Sequence, residues 1–330
     1  YGILTELLPH DRLVEANGWI EGLTVGSIIA GTVLGGVLIS TTVSNSLMSF
    51  DLPVVTTGVD SPAESAISII MFIYLIAALF NLRIPDTGAR YPEQKIKPVQ
   101  LTKDFFVGFH ILWRDRLGQI SLAVTTLFWG AGATLQFIVL KWAETALNMN
   151  LSQGAILQAV SAIGVAGGAV WAASHMPLKS ALKVLPYGVV MGLLVCIMAI
   201  YHIEYLPSFA LFTVGDFVVN FNLLPAYLLL IAVGWLAGYF VVPMNALLQH
   251  RGHVLLSAGH SIAVQNFNEN LSVLMMLMLY ALLIWLDVPV PIVITGFGLT
   301  VAVTMWLVIK KHQANQAEYD SLHLIGEAKH

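Results

Sequence analysis

Eight apolar segments, each about as long as a bilayer core is thick, dominate this sequence of 330 residues. A helix needs roughly 20 mostly apolar residues to cross the hydrocarbon of a membrane. The segments are too long, and alternate too little, to be membrane strands, so we predict an all-α polytopic membrane protein. The predicted spans are residues 16–42, 63–82, 120–146, 155–174, 185–202, 225–248, 258–286 and 290–309.

The composition indicates that lipid is the main solvent of the chain. Hydrophobic residues make up 57% of it and charged residues only 10%, whereas soluble domains carry about 25% charged residues. The net charge of −4 gives no indication of a nucleic-acid partner. The single cysteine, Cys196, lies in an apolar run and is interpreted as a structural thiol. No Cys/His spacing indicates a metal site, and no cofactor is expected.

Lys and Arg are segregated between the two sides of the predicted spans. With eight spans, fourteen of the 15 Lys and Arg residues fall on one side, and only Lys141 falls on the other. The positive-inside rule places the basic side in the cytoplasm, with both ends of the chain there. Residues 206–224, which include Asp216, Asn220 and Asn222, are predicted to be an external insertion, because a further span there would abolish the segregation.

A weak internal repeat suggests that the spans form two unequal groups. Residues 1–20 and 246–262 both pass from a helix end, through a polar loop with an Arg, into a helix that starts with small residues. Two spans follow each copy, and four spans separate the basic loop from the second copy. Two six-helix halves joined by a basic cytoplasmic loop are typical of the major facilitator superfamily. We therefore predict this fold, with the chain equivalent to helices 5–12 of 12 and truncated at its N-terminus.

This prediction divides the chain into four parts. The last two helices of an N-terminal bundle take residues 1–82, and a basic cytoplasmic linker takes residues 83–118. A C-terminal six-helix bundle takes residues 119–311, and a cytoplasmic tail takes residues 312–330. The alternative is a complete eight-helix protein, which the lack of an initial Met disfavours.

The seventh span carries the strongest candidate for a substrate site. Glu269 lies about 16 Å into the span, at a rise of about 1.5 Å per residue, and Gln265 lies one turn before it on the same face. A charged group at this depth costs at least about 2.5–3.5 kcal/mol on insertion scales, so it must face a cavity or a polar partner. We predict substrate contact for Glu269, Gln265 and Asn266, and gating or packing for Asn270. A structural polar clamp between helices is the alternative.

Residues in three other spans are further candidates. In the third span, Trp129 offers a flat surface for an ammonium group, and Gln136 offers a polar contact near mid-membrane. In the sixth span, Pro243 frees a backbone carbonyl close to Asn245, which is a predicted substrate contact. Plain packing and a tolerated kink are the alternatives for these two spans. The candidates for gating or close helix packing are Glu21, Gly31, Gly35, Gly36, Pro243 and Gln249.

Four stretches of the chain resemble the bacterial lysophospholipid transporter family. They are ANGWIE at 16–21, LFWGAGATL at 127–135, FVVPMNALLQHRG at 240–252 and SAGHSIAVQNFNEN at 257–270. The resemblance implies a secondary transporter of the bacterial inner membrane that moves lysophospholipids, such as lysophosphatidylethanolamine, from the outer to the inner leaflet. It also implies a partner, the acyl-ACP synthetase and acyltransferase Aas, which re-acylates the lipid; the transporter itself is expected to be a monomer.

The chain departs from this family at two places. Relatives tend to carry Arg where this chain has Gln136, and the insertion near residues 206–222 is longer than usual. A positive charge could meet a phosphate, whereas Gln offers only a neutral hydrogen bond. Both departures concern the preference for a lipid headgroup rather than the class of transport.

Two alternatives to lipid transport stay open from the residues alone. The same fold could serve a drug or metabolite efflux antiporter, which would also use Trp129, the glycines and one buried acid. The chain could instead be a non-transporting scaffold that holds a soluble acyltransferase at the basic loop of residues 83–116. The sequence contains no P-loop, GxSxG or HExxH motif, so it supports no enzymatic class.

Overall fold

The computed structural model describes residues 3–39, 43, 61–88, 90, 97–149, 151–214 and 217–326. Short 3-10 turns flank several helices, among them the turns at Leu178–Val184 and Leu322–Leu324. In chain order the elements are α1 (Leu4–Leu7), α2 (Leu13–Ile39), α3 (Pro62–Asn81), α4 (Pro98–Arg114), α5 (Gly118–Ala146), α6 (Leu151–His175), α7 (Leu185–Met198), β1 (Ala210–Val214), β2 (Phe217–Asn220), α8 (Leu224–Leu255), α9 (Ala258–Trp285) and α10 (Val290–Glu318).

The prediction of a polytopic helical membrane protein is confirmed. Among the described residues, seven helical segments are long and apolar enough to cross a membrane, and each corresponds to a predicted span. The first predicted span forms α2, a helix of 27 residues. Its predicted end at Thr42 and the loop with Asp51 and Asp60 lie outside the described residues.

The helix α4 lies inside the predicted linker and was not predicted. It has 17 residues, fewer than the roughly 20 that a membrane-crossing helix needs. Its apolar residues are interrupted by polar ones at helical spacing, so a search for continuous apolar runs does not detect it.

The predicted external insertion contains a β-hairpin, which forms the one small sheet in the described part of the chain. β1 pairs antiparallel with β2. At the base of the hairpin, the rings of Phe209 and Phe221 stack with centroids 4.9 Å apart. Residues 215 and 216, which include Asp216, lie outside the described residues.

The chain divides into two compact units. The larger comprises Tyr1–Leu23 and Pro92–His330, and the smaller comprises Thr24–Tyr91. In the smaller unit, α3 begins with a capping box: the Ser61 hydroxyl accepts from the Glu64 N–H, and the Glu64 carboxylate accepts from the Ser61 N–H. With Pro62 in the first turn, these residues define where the helix starts.

Glycines bring α6 and α8 into close contact in the larger unit. A methyl group on Gly168 would overlap the backbone carbonyl of Trp235, and one on Gly238 would overlap that of Val165. Small residues are common at membrane helix interfaces because they allow backbones to approach closely. The pair α6/α8 therefore depends on glycine at these positions.

Glycines also bring α7 and α10 together. A methyl group on Gly298 would lie 2.6 Å from Sγ of Cys196. The Cys196 thiol donates to the carbonyl of Gly192 at 3.4 Å. These contacts agree with the interpretation of Cys196 as a structural thiol.

Candidate functional site

Glu269 lies on the buried face of α9, at its contact with α5. The Glu269 side chain is 9% exposed and that of Gln265 is 7% exposed. Nε2 of Gln265 donates to Oε1 of Glu269 at 2.7 Å, one helical turn away. The Thr125 hydroxyl on α5, which donates to the carbonyl of Leu122 at 3.2 Å, lies close to the Glu269 carboxylate. The carboxylate is therefore held by Gln265 on its own helix and faces a hydroxyl group of α5.

Close packing positions this polar contact between α5 and α9. A methyl group on Gly130 of α5 would overlap the hydroxyl of Ser272 on α9. Nearer the other end, the Tyr280 hydroxyl donates to the Phe137 carbonyl at 3.3 Å. The two helices therefore stay in contact over several turns, and the Glu269 carboxylate lies along their seam.

The opposite face of α9 carries the other polar residues predicted for this span. Asn266 and Asn270 are exposed, and Nδ2 of Asn270 donates to the carbonyl of Asn266 at 2.7 Å. The structure thus brings Gln265 and Glu269 together and turns Asn266 and Asn270 away from them. Buried Asn268, which was not predicted, instead donates to the carbonyl of Val264.

One face of α5 extends the polar contact along the helix. Residues four, seven and eleven positions after Thr125 share its face, because these spacings are close to whole turns. They are Trp129, Gly132 and Gln136. A methyl group on Gly132 would meet no heavy atom within 4 Å among the described residues, so this face is open beside Trp129.

Gln136 and Trp129 both have free polar capacity on that face. Gln136 is exposed, and its backbone carbonyl accepts from Nε2 of Gln158 on α6 at 3.1 Å. The Trp129 Nε1–H is buried and has no hydrogen-bond partner in the described part of the chain. We call Thr125, Trp129, Gly132 and Gln136, with Glu269 and Gln265 beside them, the α5/α9 polar strip.

Gln249, a predicted gating residue, binds the first long helix instead of its own neighbours on α8. Nδ2 of Asn17 donates to Oε1 of Gln249 at 2.9 Å, and Nε2 of Gln249 donates to Oδ1 of Asn17 at 2.8 Å. A methyl group on Gly18 would lie 3.0 Å from the carbonyl oxygen of Ala169 on α6. The start of α2 is therefore packed tightly against α6 and α8.

The other candidates on α8 lie close to this contact in sequence. Helix α8 runs unbroken through Pro243. Asn245 is 3% exposed, and its Oδ1 has no hydrogen-bond partner among the described residues. A buried amide oxygen of this kind is costly unless a ligand or water satisfies it. Asn245 is thus available to a polar ligand but is not placed beside Glu269 by any described contact.

The candidates on α2 divide between the two units. Glu21, four residues after Asn17, is 7% exposed and belongs to the larger unit. Gly31 and Gly35 belong to the smaller unit, where a methyl group on either would meet no described heavy atom within 4 Å. The described residues therefore assign no packing partner to these two glycines, and the surroundings of Gly36 lie outside the described set.

A buried ion pair was missed by the sequence predictions. Arg251, at the end of α8, donates from Nη2 to Oδ2 of Asp115 at 2.7 Å and from Nε to Oδ1 at 3.2 Å. Oδ1 of Asp115 also accepts from the N–H groups of Leu117 and Gly118 at the start of α5. Asp115 stands between two Arg residues, so it was interpreted only as part of a basic loop.

The C-terminal segment is held at the same place. Nη1 of Arg251 donates to the carbonyl of Leu324 at 3.3 Å, and the Gly326 N–H donates to Nε2 of His250 at 3.0 Å. The end of α8, the start of α5 and the segment after α10 therefore form one polar cluster.

Curated bacterial proteins are similar to the chain over most of its length. The protein named lysophospholipid transporter LplT in Yersinia enterocolitica serotype O:8 / biotype 1B is 38% identical over 291 residues, which are 88% of this chain and 62% of the relative. The LplT proteins of Pectobacterium carotovorum subsp. carotovorum and Yersinia pestis (strain Pestoides F) are 38% and 37% identical, with the same coverage of 88% and 62%. The chain is thus similar to proteins named lysophospholipid transporter over 291–292 of its residues.

The chain spans 62% of the length of these relatives, which is less than two thirds. No family model and no solved structure matches it. The resemblance predicted from the four sequence stretches is confirmed, and the relatives are named as transporters, in agreement with the predicted class. The roles of single residues in this chain stay predictions.

Proposed function

We propose that this protein moves lysophospholipids across a bacterial inner membrane, and that the α5/α9 polar strip carries the headgroup. The observation that supports this most directly is the 38% identity with proteins named lysophospholipid transporter LplT. The strip adds a physical reason, since it provides charged and polar groups inside helices that are otherwise apolar.

The chemistry of the substrate fits such a strip. A lysophospholipid crosses a bilayer slowly because its charged headgroup must enter hydrocarbon. Its single acyl chain favours lipid by about 0.8 kcal/mol per buried CH₂. A protein therefore needs to provide a polar route for the headgroup alone, while the acyl chain stays in an apolar environment.

The members of the strip suit different parts of a zwitterionic headgroup. The Glu269 carboxylate would attract an ammonium group, and the ring of Trp129 would add a cation–π contact. The Trp129 Nε1–H and the amide of Gln136 would donate hydrogen bonds to phosphate oxygens. Asn245 and Asn266 stay candidates for headgroup contact outside the strip, and Asn270 stays a candidate for gating or packing.

We further propose the arrangement of the whole transporter. The helices of residues 1–82 would belong to the N-terminal bundle of a facilitator fold, and residues 119–311 would form its C-terminal bundle. Rocking of the two bundles would give alternating access. The linker 83–118, the tail 312–330 and both ends of this chain would lie in the cytoplasm. The lipid would move from the outer to the inner leaflet, where the acyltransferase Aas would re-acylate it; the transporter would act as a monomer.

The test is transport by the purified protein in lipid vesicles. Fluorescent lysophosphatidylethanolamine is added to the outer leaflet, and the fraction that becomes protected from an impermeant quencher is followed over time. A soluble cationic dye trapped inside parallel vesicles reports efflux. We expect protein-dependent movement of the lipid and no release of the dye.

Two variants make the experiment specific for the strip. Glu269→Gln should slow lipid movement at least tenfold, because it removes the negative charge while keeping the hydrogen bond with Gln265. Glu15→Gln is the matched control, since Glu15 is an exposed carboxylate paired with Arg12. Release of dye without movement of lipid would replace the proposal with efflux transport, and full activity of Glu269→Gln would remove the strip from the mechanism.

A further inference from the structure

The helix α4 has three distinct stripes along its length. The first stripe includes Gly108 and Leu112, which are four positions apart and therefore share one face of the helix. This stripe packs on the bundle: Gly108 and Leu112 are buried, and Leu112 belongs to an apolar cluster with Leu248 and Val264. It attaches α4 to the ends of α8 and α9.

The second stripe of α4 is apolar and faces away from the bundle. Val99 and Phe106, seven positions apart, are 84% and 61% exposed, whereas Trp113, after another seven, packs on the apolar cluster around Leu112. Between this stripe and the bundle, the rings of Phe105 and Phe109 lie 5.2 Å and 6.4 Å from that of Phe267 on α9. Apolar side chains that are exposed to this extent need a cover other than water.

The third stripe is basic and adjoins the apolar one. Lys103, His110 and Arg114 are spaced seven and eleven positions apart, and all three are exposed. The order of the stripes around α4 is therefore bundle, apolar surface and basic surface. A helix that lies at the boundary of a membrane needs this order, with its apolar side in the acyl chains and its basic side among the headgroups.

The position of α4 agrees with such a boundary. It ends at Arg114, just before the membrane-spanning α5 begins at Gly118. A methyl group on Gly108 would lie 3.4 Å from Leu256, which stands between the spanning segments Phe221–Leu255 and Ala258–Trp285. Phe267, 47% exposed, connects the apolar stripe of α4 to the exposed apolar surface of α9.

We propose that α4 is an interfacial helix that binds the acidic headgroup layer of the surrounding bilayer. Val99 and Phe106 enter the acyl-chain boundary, while Lys103 and Arg114 contact the phosphates of anionic lipids. Polybasic segments beside membrane spans bind anionic leaflets in this way. The proposal concerns the bilayer around the protein and does not depend on which substrate the protein transports.

The test uses spin labels in the whole chain, reconstituted in vesicles of phosphatidylcholine with or without phosphatidylglycerol. Cys196→Ala removes the native thiol, and single cysteines replace Phe106 or Lys103. We expect the label at 106 to collide several-fold more with oxygen, which concentrates in lipid, than the label at 103. The label at 103 should collide more with a water-soluble nickel chelate.

Charge reversal separates lipid binding from simple packing. Lys103→Glu with Arg114→Glu should raise the nickel accessibility of the label at 106 in vesicles with phosphatidylglycerol, and should change it less in phosphatidylcholine alone. Lys311→Glu, at another exposed lysine, is the matched control and should have no effect. Equal access of water to positions 103 and 106, or shielding of 106 only after a soluble protein is added, would overturn the proposal.

Discussion

Asn17 and Gln249 exchange two amide hydrogen bonds, of 2.9 Å and 2.8 Å, across 232 positions of the sequence. Their side chains are 1% and 4% exposed. The pair joins the first turns of α2 to the last third of α8, where Gly18 also meets α6. If the proposed bundles rock against one another, this contact joins them on one side of the membrane and must open when that side opens.

The two single replacements in this pair should together cost more stability than the double replacement costs. Asn17→Ala or Gln249→Ala leaves a buried amide without its partner, at a cost of about 1–3 kcal/mol. In the double variant no amide is orphaned, and the coupling should be about 1 kcal/mol, within the range of such pairs in membranes. Thermal unfolding in detergent of the four proteins measures it.

A second cycle provides the control for the amide pair. Asn270→Ala, on the exposed face of α9, shares no described contact with Asn17. The costs of Asn17→Ala and Asn270→Ala should therefore add. Additive costs for Asn17 and Gln249 themselves would contradict the claim that the two amides act as a unit.

Thr125 should assist Glu269 through its hydroxyl group. Thr125→Val keeps the size of the side chain and removes the hydroxyl that lies beside the carboxylate, so lipid movement should fall by roughly fivefold, the equivalent of about 1 kcal/mol. Thr125→Ser retains the hydroxyl and should restore most of the rate. Equal rates for the Val and Ser variants would mean that Thr125 only fills space between α5 and α9.

Glycine should be essential at the contact of α6 with α8 and dispensable on the open face of α5. Gly168→Ala and Gly238→Ala each place a methyl group against a backbone carbonyl, and overpacking of this kind costs about 1–3 kcal/mol or more. Gly132→Ala is the matched control, because its methyl group would meet no described heavy atom within 4 Å. The yield of folded protein and its melting temperature in detergent measure the difference.

A destabilised Gly132→Ala variant would contradict the assignment of an open face. It would indicate that a neighbour occupies the space beside Trp129. Unchanged stability of Gly168→Ala would instead contradict the close approach of α6 and α8.

The long apolar runs were predictable from sequence because hydropathy acts locally. Each span is one continuous segment, and its helical form follows from the lack of water in the membrane. The polar character of Gln265 and Glu269 was also visible, since both stand in an apolar run one turn apart. Their proximity on one face needs only the period of the helix.

The partners of these residues could not be predicted in the same way. Asn17 and Gln249 lie in the two copies of the weak repeat, but nothing in either copy indicates that these two side chains bind each other. Asp115 was hidden by the Arg residues on both sides of it, and its partner Arg251 lies 136 positions later. The helix α4 was missed because its apolar residues form a stripe and not a run. Contacts between distant segments depend on how the helices pack, and the local sequence of one segment does not determine that packing.

The ion pair of Asp115 with Arg251 should be among the most sensitive contacts in the protein. Its side chains are 10% and 4% exposed, and breaking a buried pair by removing one partner costs about 3–5 kcal/mol. Asp115→Asn should therefore reduce the melting temperature strongly. Arg12→Gln is the control: it breaks an ion pair with exposed Glu15, which is worth about 0–1 kcal/mol.

Exchanging the two charges separates two roles of Asp115, which are its ion pair with Arg251 and its hydrogen bonds at the start of α5. Asp115→Arg combined with Arg251→Asp would restore opposite charges, but Arg at 115 cannot accept the N–H groups of Leu117 and Gly118. We therefore expect the exchanged protein to stay unstable, with the beginning of α5 less protected from hydrogen exchange. Recovery to the original melting temperature would mean that charge attraction alone is responsible and that Asp115 has no role in starting α5.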